Sequence, residues 1–276
     1  MKNRISGKKV ISILMIILGI TLSIYPLISS IIEHEYQKAA VATYTKEVKI
    51  SRKEDTDKYF AEADTYNSML YQSASVEIDK LSNGILSQDS YNHMLNISGT
   101  GVMGSIDIPK INVNLPIYHG VSDEVLSSGV GHLEGSSLPV GGVNTRTVLT
   151  GHRGLPSSKL FTRLDEMEQG DLFFINVLGK TLAYQVSKIE VIKPEETDLL
   201  GIVPEKDLAS LITCTPYGIN THRLVVTGER IEYQPKEHEM IKSERMSFRE
   251  ILFTVTPFIF IGITMLLYGK NRKREV

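Results

Sequence analysis

Residues 211–223 read Leu-Ile-Thr-Cys-Thr-Pro-Tyr-Gly-Ile-Asn-Thr-His-Arg, and Leu224-Val-Val226 follows directly. The stretch is a strand, a forced turn and a second strand. Leu208–Cys214 is apolar and β-branched, Thr-Pro-Tyr-Gly interrupts it, and Arg223–Tyr233 resumes the pattern. A guanidinium thereby stands on the element next to a thiol. Cys214 is the chain's single cysteine, so no internal disulfide is available to it. In an exported domain, which the flanking segments imply, such a thiol is reactive or pairs with another molecule. The plain alternative is a small buried hydrophobe. The cation at Arg223 favours the thiolate, the form that acts as nucleophile.

Working outward, the same punctuation recurs. Gly101–Pro109, Val113–Tyr118, Arg146–Gly151, Leu172–Val177 and Thr181–Ile192 also read as strands, and Leu178-Gly-Lys180 as a hairpin turn. Short helices fit Glu124–Ser128, Ser157–Leu164 and Glu195–Leu200. So many short strands with so little helix predict a closed or nearly closed β-barrel over residues 101–235.

Two apolar runs bracket this domain. Val10–Ile32 carries no charge and is long enough to cross a hydrocarbon core of roughly 30 Å. It exceeds the apolar core of a signal peptide, so it is expected to remain as an anchor despite the small-residue Ala40-Val-Ala42. Ile251–Tyr268 is a second uncharged run, with Pro257 near its start. Lys2, Arg4, Lys8 and Lys9 precede the first run, and Lys270, Arg272, Lys273 and Arg274 follow the second. By the positive-inside rule both termini, 1–9 and 269–276, are cytoplasmic, and 33–250 lies outside the cell membrane.

Residues 33–100 are polar. Tyr36–Tyr71 shows weak helical periodicity, with Val41, Tyr44, Val48, Tyr59, Tyr66, Met69 and Leu70 as packing positions. Ser82-Asn-Gly84 signals a turn, and Asp89–Leu95 a short helix. Residues 236–250 read as a juxtamembrane linker. The chain has 276 residues and a net charge of −2, with no central basic block, so a nucleic-acid partner has no support. There is no cysteine pair and no HExxH, which argues against a zinc or dithiol redox centre.

A nucleophilic thiol needs a proton-transfer partner. His34, His93 and His238 fall in polar flanking segments where solvation suffices. His119 ends a strand, His132 lies in the Gly129–Gly135 loop, and His222 points away from Arg223 by strand alternation. His152 is delivered by strand Arg146–Gly151 to the barrel mouth, just before the Arg153-Gly-Leu-Pro156 loop.

Gly104-Ser-Ile-Asp-Ile-Pro109, Thr150-Gly-His-Arg153 and the 211–223 run resemble the three signatures of sortases, membrane-anchored cysteine transpeptidases of Gram-positive bacteria. Leu115-Pro-Ile-Tyr-His-Gly120 and Gly129–Pro139 are similar to class C, the pilin polymerases. The resemblance covers about Met103–Tyr233. It implies a sortase-like barrel behind a helical N-terminal extension, with His152, Cys214 and Arg223 as catalytic residues. It implies acyl transfer from an LPxTG-like signal of a pilin or surface protein to a lysine amine of the next subunit, with no cofactor or metal. A housekeeping-type sortase serving cell-wall peptide, and an inactive tethered binding module, are the alternatives. One departure stands out: most class C members carry an Asp-Pro-aromatic lid before the barrel, and Gln72–Tyr91 has none, leaving Asp79 and Asp89 as acidic candidates.

Overall fold

The computed structural model describes residues 7–73, 88–154, 158–242, 251–252, 255–256 and 258–266. Its centre is a closed barrel of β1 (Val102–Ile108), β2 (Val113–His119), β3 (Val130–His132), β4 (Thr145–Thr150), β5 (Leu172–Val177), β6 (Lys180–Ile192), β7 (Asp207–Thr215) and β8 (His222–Ile231). Round the barrel the strands run β1-β2-β3-β4-β7-β8-β6-β5. All neighbours are antiparallel except β2 with β3 and β4 with β7.

Strand alternation sorts the side chains. Ile106, Ile117, Leu149, Phe173, Ile175, Leu211 and Val226 point inward into one buried cluster. Their neighbours Val148, Ile212 and Val225 point outward and, with Ile192, form a second cluster on the barrel's outer wall, covered by Leu133 and Leu200. The β5–β6 hairpin turns through Leu178 and Gly179, at φ 46° and 80°. Two positive φ angles are what a type I′ turn requires.

The three-residue β3 was read in the sequence as loop. It is held between the end of β2 and the end of β4, with Tyr118 facing Gly131 and Gly131 facing Thr150. Of the helix expected over Ser157–Leu164, Ser157 lies outside the described residues and the rest does not form: residues 160–163 are turns and a short 3-10 stretch covers Leu164–Glu166. Glu195–Leu200 shortens to a 3-10 turn at Thr197–Leu200, whereas α4 (Asp123–Ser128) stands where a helix was expected.

Before the barrel come α1 (Gly7–Ile50), α2 (Lys53–Ser73) and α3 (Gln88–His93). The boundary drawn at Ile32 is not a break, because α1 runs through it as one helix. Its first part is long and apolar enough to cross a membrane, and Ile17, Leu22, Tyr25 and Ile28 are all exposed. Residues 258–266 are helical too, with the Phe260 ring beside Gly19 of α1. The rest of the second apolar run lies outside the described residues in part, as do Asp79 and Ser82-Asn-Gly84. Asp89 is within α3.

The extension clasps the barrel through buried polar groups. Tyr44 donates Oη to Met103 O and accepts from Leu178 N, both at 2.9 Å. Asn67 donates to Leu138 O and accepts Leu138 N, as a neighbouring strand would. Tyr66 is buried as expected, but Met69 is 48 % exposed, because α2 packs through Phe60, Ala63 and Asn67 instead. On the far side, α5 (Pro235–Met240) brings in His238. It was expected to be solvated. Its ring instead stacks on Phe174 at 3.7 Å, with Nε2 2.8 Å from Asp107 Oδ2 and Nδ1 3.2 Å from Tyr233 Oη.

Candidate active site

The ends of β4 and β7 and the start of β8 lie side by side, and each carries one expected residue. Cys214 and Arg223 are direct cross-strand partners, so their side chains share a face. β4 runs parallel to β7 with Thr150 facing Ile212. That pairing continues past the strand end, because Gly151 N donates to Ile212 O at 3.0 Å and Thr213 Oγ1 to Gly151 O at 2.8 Å. His152 is therefore brought alongside Cys214. By alternation it shares the outer wall with Val148 and Thr150, Cys214 shares it with Ile212, and Arg223 with Val225. Cys214, His152 and Arg223 are each partly exposed.

Arg223 is steadied by its own loop, donating Nη1 to Asn220 O at 3.2 Å and to His222 O at 3.1 Å. Asn220 accepts this role from the left-handed region, at φ 62°. His152 is steadied through its backbone, since Phe161 N donates to its carbonyl at 3.0 Å and folds the following loop back on it.

Two arginines that the sequence reading passed over build the surroundings. Arg153 is 7 % exposed. It contacts Thr215 Oγ1, approaches Cys214 O at 3.5 Å and pairs with Asp165. It thus braces the histidine loop against the cysteine strand, and its Nε is buried without a partner among the described residues. Arg146, equally buried, reaches out along the wall from β4. It donates Nε to Ser210 Oγ at 3.0 Å, Nη1 to Leu199 O at 2.6 Å and Gly201 O at 3.0 Å, and Nη2 to Thr227 Oγ1 at 3.3 Å. The β6–β7 connection is pinned over the apolar floor of Val148, Ile192, Ile212 and Val225 as a result. The only signal for either arginine in the sequence was a charged residue inside or next to a strand, which is rarely buried unless satisfied.

The other histidines do not enter the site. His132 is fully buried, and burial pushes its pKa down to about 4. Nδ1 accepts from Tyr91 Oη at 2.8 Å and Nε2 donates to Ser137 O at 2.9 Å, a pattern that suits the neutral ring. His119 ties the extension to β2, with Nδ1 3.0 Å from Gly101 O and Nε2 2.7 Å from Met94 O. Among the described residues no group of histidine, cysteine, aspartate and glutamate is placed to hold a metal ion.

A thiol, an imidazole and a guanidinium at adjacent strand ends, beside an apolar floor, are suited to acyl transfer. Comparison with known proteins agrees. The sortase domain model matches residues 106–231. Sortase D of Bacillus subtilis is 32 % identical over 131 residues, which span 46 % of this chain and 63 % of that protein. Among solved structures, sortase C1 of GBS pilus island 1 superposes with a TM-score of 0.66 at 40 % identity, covering 71 % of this chain and 99 % of that one. Clostridium perfringens sortase C with the C-terminal cell wall sorting motif gives a TM-score of 0.60 at 40 % identity, covering 71 % and 99 %. With the barrel, the adjacent strand ends and these likenesses all in agreement, the chain belongs to the sortase family.

Proposed function

We propose that this protein is a pilin-polymerising cysteine transpeptidase that cleaves Thr–Gly in an LPxTG-like signal and joins the threonine carbonyl to a lysine amine of another subunit. The observation that carries the reading is the cross-strand pair Cys214–Arg223 with His152 just past the end of the adjoining strand. The likeness to a pilus-island sortase C1, and to a sortase C solved with a sorting motif, supports the substrate class.

In this mechanism the Cys214 thiolate attacks the threonine carbonyl carbon, and Arg223 offers its fixed fork of N–H donors to the oxyanion that develops. His152, as imidazolium, gives its proton to the departing glycine nitrogen when the C–N bond breaks, leaving a thioester on Sγ. The incoming lysine amine then attacks the thioester carbon and loses a proton to His152. The C–S bond breaks, and thiolate and imidazolium are restored. The β6–β7 connection, with Leu199 and Val203 exposed over the apolar floor, offers apolar surface for the leucine and proline of the signal. Two membrane spans, 10–32 and 251–268, would hold 33–250 outside the cell with both tails in the cytoplasm; the helix at 258–266 beside Gly19 supports their pairing.

The test is mass spectrometry of the enzyme mixed with a Leu-Pro-x-Thr-Gly peptide, followed by addition of a lysine-bearing pilin. The wild type should carry the acyl adduct on Cys214 and then form SDS-resistant ladders. Cys214→Ala should form neither while keeping its fold. Ladder formation by the alanine variant would overturn the assignment.

A further inference from the structure

The charge-free part of α1 ends at Ile32, and the barrel packs on the same helix directly afterwards. Gln37 and Ser158 are both buried, and Gln37 donates Nε2 to Ser158 Oγ at 2.8 Å. Ser158 belongs to the histidine loop. It lies three Cα steps, at most about 11 Å, from Phe161, whose amide closes on His152 O. One turn lower, the Glu33 carboxylate is near enough to Tyr118 to join burial in raising that hydroxyl's pKa. Higher on α1, Tyr44 holds Met103 and Leu178, and Val48 reaches the β5–β6 turn at Gly179.

The helix is a ruler for these contacts. At 1.5 Å per residue, Gln37 is about 7.5 Å beyond Ile32 and Val48 about 24 Å. A bilayer's headgroup layer extends roughly 5–7 Å past the hydrocarbon on each side. Pro26, the one proline inside α1, lies below Ile32, so a bend there would not alter the spacing above it. A tilt of about 20° shortens both heights by under a tenth and leaves their order unchanged. The side chains at the lower level are Glu33, His34, Glu35, Lys38 and Lys159, a mixed polar belt suited to headgroups and not to hydrocarbon.

We infer that the side of the barrel carrying Ser158 rests on the lipid surface, so that the catalytic cleft opens at headgroup level while the β5–β6 turn points away from the membrane. This rests on α1 crossing the membrane, as proposed above. The site then meets acyl donors at the bilayer surface and not in bulk water.

The test uses the full chain carrying Cys214→Ala, with a new thiol from Lys159→Cys, Lys180→Cys or Tyr36→Cys, each labelled with a fluorophore. The protein is placed in phosphatidylcholine–phosphatidylglycerol vesicles that contain a lipid with a nitroxide on its headgroup. The label at 159 should lose fluorescence to the same extent as that at 36, and the label at 180 should keep its fluorescence. Since Lys180 sits over the Phe60 ring at 3.7 Å, Lys49→Cys on the exposed upper part of α1 provides a second distal control. Equal loss at 159 and the distal positions, or loss at the distal positions alone, would overturn the orientation. Flotation with the vesicles is read separately: a chain that fails to float overturns the anchoring and the orientation together, whereas a floating chain without the gradient overturns the orientation only.

Discussion

Arg223 offers a planar array of donors whose direction is set by two carbonyls of its own loop, Asn220 and His222. Arg223→Lys would keep the charge and lose the fork. We expect it to lower kcat by about 10²–10³, the usual loss for one oxyanion donor, and to do nearly as much damage as Arg223→Ala. Steady-state transpeptidation of a signal peptide measures this; if lysine retains more than about a tenth of the rate on that scale, Arg223 supplies charge alone. His132 makes a different kind of prediction. Its folded pKa is held at about 4 against 6.5 for a free histidine. The unfolded chain therefore takes up the proton first. The stability tied to the neutral ring is complete above pH 6.5 and is lost as pH falls toward 4, about 3 kcal/mol in total. His119, whose pKa burial also lowers, acts in the same direction. Denaturant midpoints at pH 7 and pH 4.5 should differ accordingly, and His132→Gln should flatten the dependence. The proposed catalytic residues could be named from the sequence because thiol, imidazole and guanidinium each stand at the end of a readable strand. Arg146 and Arg153 were not, because what makes them matter is distant in sequence: Ser210 and Leu199 for one, Cys214 and Asp165 for the other.

At the level of elements, the β6–β7 connection owes its position to a buried guanidinium that has no carboxylate within hydrogen-bonding distance among the described residues. A charge buried this way is costly unless its donors are fully used, and Arg146 spends them on two carbonyls of that connection and two hydroxyls of the wall. Lysine cannot reach all four. Arg146→Lys should loosen the cover of the apolar floor and raise KM for a signal peptide about tenfold, as the loss of a charged hydrogen bond would. The rate at which iodoacetamide alkylates Cys214 should not change, since that reagent needs no floor; a fall in that rate alongside the rise in KM would mean that the arginine supports the strand end itself. Strands with clear alternation were readable to within a residue or two, as β5 and β6 illustrate. β3 was missed because Val-Gly-His is too short to show a period and its pairing comes from β2 and β4. Residues 158–164 read as helix in the sequence, but their course is dictated by closure on His152 and by the Gln37–Ser158 clasp.

For the molecule as a whole, the extension is part of the fold and not a tether. A fragment covering 33–250 should be soluble and folded without detergent, since the inward cluster lies wholly within it. One beginning at Lys53 should melt lower, because removing Tyr44 leaves Met103 O and Leu178 N without their partner. Each such buried group costs about 1–3 kcal/mol; equal melting temperatures by circular dichroism would show that α1 adds nothing. The barrel itself is sealed. Where β3 ends, the outer edge of β4 is taken over by the next few residues: Leu133 and Ser137 amides donate to Val148 O and Arg146 O, while the hydroxyls of Ser136 and Ser137 accept from Val148 N and Arg146 N. At this edge a peptide guest finds no open ladder to extend, so it is not recognised there by joining the sheet as one more strand. Beside β4 it must lie across the wall and be read by its side chains. If the proposed function holds, selectivity among sorting signals is written in the pinned connection, where single substitutions can retune it without touching the barrel's hydrogen bonds.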